Sequence, residues 1–439
     1  MQTNEPSAFN ETAADAAATV DSAEIDKAAD SAADSAAEIA VDSAVEASRP
    51  KNRRRLIFLL VFLLALLAVL GEEAARRAAS VRTIGEEGAF SYETVGLSAT
   101  ITGLLDKNAT EAVVPEKIGG RSVTKIGAAA FSGCASLTKI ELPQGVREIG
   151  SNAFAGCSAL TTITLPASLE TLRAAFDGCS ALAEIAVAPG NKNYRSVDGV
   201  LFSADGKTLL LYPTAKATTE YAIPDGTERI ASSAFRDCAS LTAIAFPASV
   251  RELGGETFFG CVALRTVALP DGVETIPASS FLGCSELSEV KFPKQLKAIA
   301  PHAFIGCESL TSVAFPDGLT LIGDDAFEDC VSLESVAFPS SLKVVEPGAF
   351  GGCVKLSSVV FPNGLKTLGD EAFAGCDSLS SVEIPASVEE IGRRSFPRNA
   401  DLVIRGAAGS YAETFAAEAG IPFEASGEPV ESAAPTPEP

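Results

Sequence analysis

The chain has 439 residues and a formal net charge of −23, with 36 Gly, 24 Pro, 10 Cys and one each of His and Met. Such acidity repels a phosphate backbone, and no basic stripe occurs outside Arg49 to Arg55, which excludes nucleic acid as a partner. One histidine permits neither a two-histidine metal site nor much acid–base chemistry, and no phosphate-binding glycine loop or zinc-protease motif is present, so the alphabet argues against catalysis, a metal or a cofactor.

Residues 1–48 are rich in Ala, Ser, Asp and Glu with scattered aliphatics, too few to bury a core, and are expected to be a disordered acidic tail. A basic flank, 49–55, precedes an unbroken apolar run from Leu56 to Leu70. At the helical rise that run spans roughly 22 Å, short of the ~30 Å hydrocarbon core. Snorkelling of Arg55 and inclusion of Gly71 narrow the difference, so 56–71 is expected to be a transmembrane helix in the lipid bilayer. A cleaved signal peptide would have a short leader, and 55 residues precede this segment. With the basic flank on its N-terminal side, the positive-inside rule places the N-terminus in the cytoplasm and the remainder outside a single-pass cell membrane. Residues 72–89 are expected to be a linker.

From 90 to 423 the sequence is periodic. Cysteines fall at 134, 157, 179, 238, 261, 284, 307, 330, 353 and 376, 23 residues apart in all but two gaps, each with a Phe three residues before it. Prolines at 143, 166, 224 and then through 385 keep the same register, and Phe396 continues the series with Asn399 in the cysteine slot. In the unit Cys284 to Gly306, Leu287, Val290 and Phe292 face inward while Glu289 and Lys291 alternate outward as a short strand, which Pro293 ends. A single coil leaves its apolar side open and is stable only when stacked. About eleven 23-residue coils would pair their strands in parallel at ~4.8 Å, a solenoid roughly 50 Å long. Successive cysteines would point the same way, poor geometry for a bridge, and are read as free buried thiols.

Two irregularities interrupt the array. The coil ending at Phe176 is one residue short, and Phe176 to Phe235 spans 59 residues. The insertion, about 189–220, holds apolar runs flanking Asp205-Gly206, a hairpin signal, and is expected to project from or fold against one edge of the solenoid. The recurring A-F-x-G-C, the L-x-x-I-x-L/F-P strand and the inserted Tyr194-Arg195-Ser196-Val197-Asp198-Gly199-Val200 resemble the BspA-type leucine-rich repeat proteins of microbial surfaces. That resemblance implies a mainly β fold with short turns and 3-10 segments, a right-handed leucine-rich-repeat solenoid carrying a β-hairpin insertion. It also implies surface display and adhesion or protein binding without fixing a ligand. Tyr92 to Ile126 and Gly409 to Glu413 resemble the family's caps. Residues 424–439, rich in Pro and Glu, are expected to be a disordered tail.

Candidate binding residues are sought on the outward face of the main sheet. Charges cluster at Lys139 and Glu141, at Glu289 and Lys291, and at Glu383. A row of small residues, Ala245, Ala268, Ala314, Ala337 and Val360, interrupted by Lys291, offers a flat contact to a protein, a glycan on another cell or surface layer, or another copy of the chain. His302, beside Pro301, is expected on the surface. Asp324, Asp325, Glu328 and Asp329 form the densest acidic group but lack calcium-loop spacing and read as a solvated corner. The first expectation is a membrane-anchored cell-surface binding protein; the alternative is a structural envelope or surface-layer protein that self-associates without a specific ligand.

Overall fold

The computed structural model describes residues 82–399 and 401–426. The acidic tail, the basic flank and the apolar segment 56–71 lie outside the described residues, and among those described no helix is long and apolar enough to cross a membrane. The described chain winds as a mainly β, right-handed solenoid of about 14 turns. Counting Phe and Cys signatures gives eleven, because the coils at both ends and in the insertion build strands without that signature.

Each coil contributes to two parallel ladders. One holds the longer outward-facing strands, for example Ala243–Ala245, Thr266–Ala268 and Glu289–Lys291 in register. The other holds two-residue strands such as Thr275–Ile276, Ala298–Ile299 and Leu321–Ile322. Between the ladders the A-F-x-G-C motif makes a turn rather than a 3-10 segment, and no 3-10 helix occurs among the described residues. Two residues of each full turn take left-handed backbone. One lies two residues before the Phe (Ser279 φ 54°, His302 φ 60°), and one two after it, where glycine is usual (Gly283 φ 74°, Gly306 φ 68°).

This turn points its N–H groups along the solenoid axis. Phe281 donates to Ala303 O at 2.8 Å and Phe304 to Ala326 O at 2.7 Å. Below them the rings stack: Phe258, Phe281, Phe304, Phe327 and Phe350 follow one another at 4.9–5.2 Å with nearly parallel planes. The ten cysteines are all buried and unbridged. Eight of them also do what a plain hydrophobe cannot. Their Sγ atoms donate to the carbonyl of the preceding coil's Phe at 3.0–3.4 Å, as Cys330 does to Phe304 O.

The ends depart from expectation in three places. Arg82–Glu87, within the stretch expected as linker, is a strand antiparallel to Phe90–Val95. Its side chains are nearly all exposed, so backbone pairing and polar contacts such as Arg82 to Glu93 at 2.7 Å hold it, and no hydrophobic pattern announces it. Phe423–Ala425 extends the parallel ladder by one strand into the stretch expected as tail. Between Val403–Gly406 and that last strand, the closing cap folds the α-helix Tyr411–Ala419, which buries Ala412 and Ala416.

The insertion does not project. Tyr194–Val197 and Val200–Ser203 form a hairpin about Asp198 (φ 49°) and Gly199 (φ 78°), both left-handed as a tight hairpin turn requires. The expected Asp205-Gly206 turn then returns Thr208–Leu211 antiparallel to Val200–Ser203 and into parallel pairing with Arg229–Ile230, so the insertion rejoins the short-strand ladder. Val200–Ser203 is buried on both faces. Leu201 packs into the core of the N-terminal coils, and Val200 and Phe202 pack into the separate core of the C-terminal coils. The hairpin is a septum between two hydrophobic stacks.

Candidate functional site

Two places present groups to the outside in a built arrangement: the outward face of the main sheet, and the junction at which the insertion divides the stack.

On the sheet face, parallel register fixes the columns. Ala268 pairs with Lys291, Ala314 with Ala337, and Val360 with Glu383, equivalent repeat positions on three separate stretches of ladder, with Ala245 at the same position one coil before Ala268. Lys139 and Glu289 hold the other outward position of their strands, in separate stretches of ladder. Lys139 and Glu141 stand apart, because the pairing from Glu184–Val187 stops at Thr162–Leu165 and that from Glu220–Ala222 begins anew. They hold each other, Nζ to carboxylate at 2.6 Å, and the Glu141 hydrogen bond raises the Lys139 pKa. Glu383 is half-buried and accepts a hydrogen bond from Ser426 Oγ. Glu289 and Lys291 have no ion pair among the described residues, and Val360 is 66% exposed. Nothing on this face converges to polarise a bond. It is a broad, flat contact surface of hydroxyls and methyls with isolated charges.

His302 lies at the surface, as expected, with its side chain 41% exposed, and takes the left-handed turn position at φ 60°. Its Nδ1 lies 3.6 Å from Asp325 Oδ2. Ligand atoms of His302, Asp324 and Asp325 lie within 4.8 Å of one another, so these three side chains could hold a metal ion. The acidic corner is less solvated than its composition suggests. Burial, then neighbouring acids, raises the pKa of both Asp325 and Glu328.

The junction between the coil of Phe176 and that of Phe235 has no counterpart elsewhere in the array. Leu209 and Ile230 pair in register, and Tyr212 stacks on Phe235 at 5.0 Å, in the place a Phe takes in other coils. Yet Tyr212 follows Leu209 by three residues where Phe235 follows Ile230 by five, so the inserted coil lacks most of its turn. The coil before it is also short, and Ala174 has none of the left-handed backbone seen at Asn152 (φ 56°) and Ser233 (φ 57°). A cleft of about 820 Å³ opens where the turns should meet. Leu172, Phe176, Leu201, Leu210 and Leu211 form much of its lining, with Asp177, Asp237 and Glu256 among its acids. Arg236 contributes as well, held by Glu256 at 2.5 Å and lying 4.1 Å over the Phe259 ring.

Side chains from the insertion close the rest of the break. Tyr194 Oη accepts the Leu172 N–H at 2.9 Å, and burial raises that phenol's pKa. Asn191 Nδ2 donates to Pro166 O at 2.9 Å, and Asn193 Nδ2 to Leu169 O at 3.1 Å. The two short spacings, Phe154 to Phe176 and Leu209 to Tyr212, were the only sequence marks of this cleft.

The model of the BspA type leucine rich repeat region matches in six copies, over 109–204, 212–331 and 283–403. A leucine-rich repeat protein from Eubacterium ventriosum is similar in structure at 23% identity and TM-score 0.51, over 67% of this chain and 95% of that one. A leucine rich cell surface protein from Faecalibacterium prausnitzii is 25% identical over 77% of this chain and 98% of its own, with TM-score 0.48. No curated protein matches. The matched repeats run across most of the solenoid, and the chain belongs to the BspA-type leucine-rich repeat family.

Proposed function

We propose that this chain is a non-catalytic binding or adhesion protein of the cell surface. In this reading residues 56–71 anchor it in the bilayer, the N-terminus is cytoplasmic and the solenoid is extracellular. The observation that carries the reading is the outward sheet face. Its Ala, Ser and Val side chains form a flat row, interrupted by Lys291, without converging acids, bases or nucleophiles, suited to repeated shallow contact with a protein or glycan. Many displayed copies would compensate for weak single contacts by avidity. Membership of a repeat family of surface proteins supports it.

The test replaces Ala314 and Ala337 with Glu in the full-length chain displayed on cells. Both are exposed, so thermal unfolding should not move, while attachment to a partner surface should fall at least tenfold. Unchanged attachment would remove the sheet face from the reading. Saturable binding supports a specific partner, whereas self-association alone supports a structural surface-layer role. Protease shaving of intact cells reports display separately: a solenoid that resists shaving until the cells are lysed contradicts the proposed orientation.

A further inference from the structure

At the intact junctions up to that between Phe350 and Phe373, three turn N–H groups of one coil reach three carbonyls of the next, and the terminal junction from Phe373 to Phe396 makes two. Asn152, Phe154 and Gly156 donate to Ala174, Ala175 and Asp177 at 2.6–2.8 Å. Downstream, Ser233, Phe235 and Asp237 donate to Gly255, Thr257 and Phe259 at 2.7–2.9 Å. The divided junction breaks the rule on both sides. Among the described residues the N–H groups of Ala174, Phe176 and Gly178 have no acceptor. Of the three carbonyls facing them from the next coil, only that of Ala234 receives a backbone N–H, from Tyr212 at 2.8 Å. Those of Ser232 and Arg236 receive none, Arg236 O having only the Cys238 thiol at 3.8 Å. Ala174, Phe176, Gly178, Ser232 and Arg236 all line the same cleft. One wall therefore offers a row of donors and the other a pair of acceptors, with apolar side chains between.

We propose that this cleft is a slot for an extended peptide segment of a partner protein, whose backbone completes the missing rung. An extended chain meets the demand because every second peptide unit presents its carbonyl to one side and its N–H to the other. Three donors at alternate residues set a length of about five residues. Backbone pairing of this kind gives affinity, and pockets for alternate side chains give specificity. Leu172, Leu201, Leu210 and Leu211 select apolar side chains pointing inward. Asp177, Asp237 and Glu256 share the single cation Arg236, at 3.6, 3.6 and 2.5 Å, so the lining keeps an acidic excess that disfavours acidic flanks. At about 820 Å³ the slot falls within the ~300–1,000 Å³ of ordinary ligand sites. The proposal goes beyond the sheet-face reading, since the two surfaces are built from different residues and neither needs the other.

The experiment pans a random heptapeptide library displayed on phage against the full-length chain, with a Ser232→Trp chain as counter-selection. Ser232 is exposed on the slot wall, so the indole fills the slot without disturbing the core. Ala174→Trp on the opposite wall is the second variant, and thermal unfolding checks that both fold. Enriched peptides should alternate apolar residues and bind the unsubstituted chain at least tenfold tighter than either variant. N-methylation of alternate peptide amides should cost a further tenfold. Failure to enrich any sequence, or equal binding to the Trp variants, would overturn the proposal. So would a rise in peptide affinity on deleting 427–439, which would make the chain's own tail the occupant. None of these outcomes depends on Ala314→Glu or Ala337→Glu, so the two readings fail separately.

Discussion

The aromatic ladder offers the most direct measure of what holds the solenoid together, and Phe304→Ala tests it at mid-array. Phe304 is fully buried, with Phe281 at 5.0 Å and Phe327 at 4.9 Å on its two faces and Phe292 edge-on at 5.9 Å. Truncating a buried Phe to Ala costs about 3–5 kcal/mol, including the cavity left behind. Each lost ring pair accounts for about 0.5–1.5 kcal/mol of that. Because a coil contacts only its neighbours, the lesion weakens two interfaces at once and should uncouple the coils on either side. Guanidinium unfolding of the full-length chain, followed by far-ultraviolet circular dichroism, should therefore show a lower midpoint and a broadened or divided transition. Phe396→Ala, at the end of the ladder with neighbours at 5.9 and 6.0 Å, should cost less and leave a single transition. Phe304→Leu keeps most of the apolar area but loses both stacks, so it should fall about 1–2 kcal/mol below the parent. If Phe304→Ala lies within about 1 kcal/mol of the parent, or Phe304→Leu costs as much as Phe304→Ala, ring stacking is not what binds the coils.

Two further outcomes follow from the thiols and the septum. Burial pushes Cys157, Cys179 and Cys330 up to about 12 from an ordinary value of 9.0. A raised folded-state pKa leaves stability intact below the unfolded value and withdraws it as pH rises toward the folded one. Stability should thus hold to about pH 9 and fall toward about pH 12, and the buried Tyr212 acts in the same sense. Cys330→Ala should flatten that slope by about 1.4 kcal/mol per pH unit, read from guanidinium midpoints across the range. At the septum, Tyr194→Phe removes the acceptor of the Leu172 N–H at 2.9 Å. It should destabilise the N-terminal coils by about 1–3 kcal/mol, with faster amide exchange at Leu172 and no change near Phe304.

The repeat was legible because periodicity and packing say the same thing in it. A Phe every 23 residues both marks the coil and stacks on its neighbour, so counting one reveals the other. A strand held by backbone pairing and exposed polar contacts leaves no such mark, which is why Arg82–Glu87 falls in the stretch expected as linker. Hydrogen bonding by the thiols was equally invisible, since spacing places a cysteine in the core without saying what its S–H meets. On the sheet face, alternation located Ala245, Ala268, Lys291, Ala314, Ala337 and Val360 at equivalent outward positions of their strands. It did not show that Lys139 and Glu141 lie across a break, because that break depends on where the insertion runs.

The insertion itself shows how small a change in spacing can create a site. Its apolar residues suggested a hairpin, and hairpins on solenoids are easily imagined as appendages. Val200, Leu201 and Phe202, however, are three consecutive apolar residues rather than an alternating pair, and a strand with no polar face must be buried on both sides. That run was the available evidence for a septum. Once the hairpin lies within the stack, the coils on either side can rejoin only if their turns still reach one another. Phe176 comes one residue early and Tyr212 two, so they do not. The backbone donors of one coil and the acceptors of the next are left unpaired across a cleft that the Arg236–Asp177 ion pair spans at 3.6 Å. Where a repeat array is otherwise uniform, a deletion at a turn frees backbone groups that the turns within the array consume. The place to look for recognition in such a protein is therefore where its period fails.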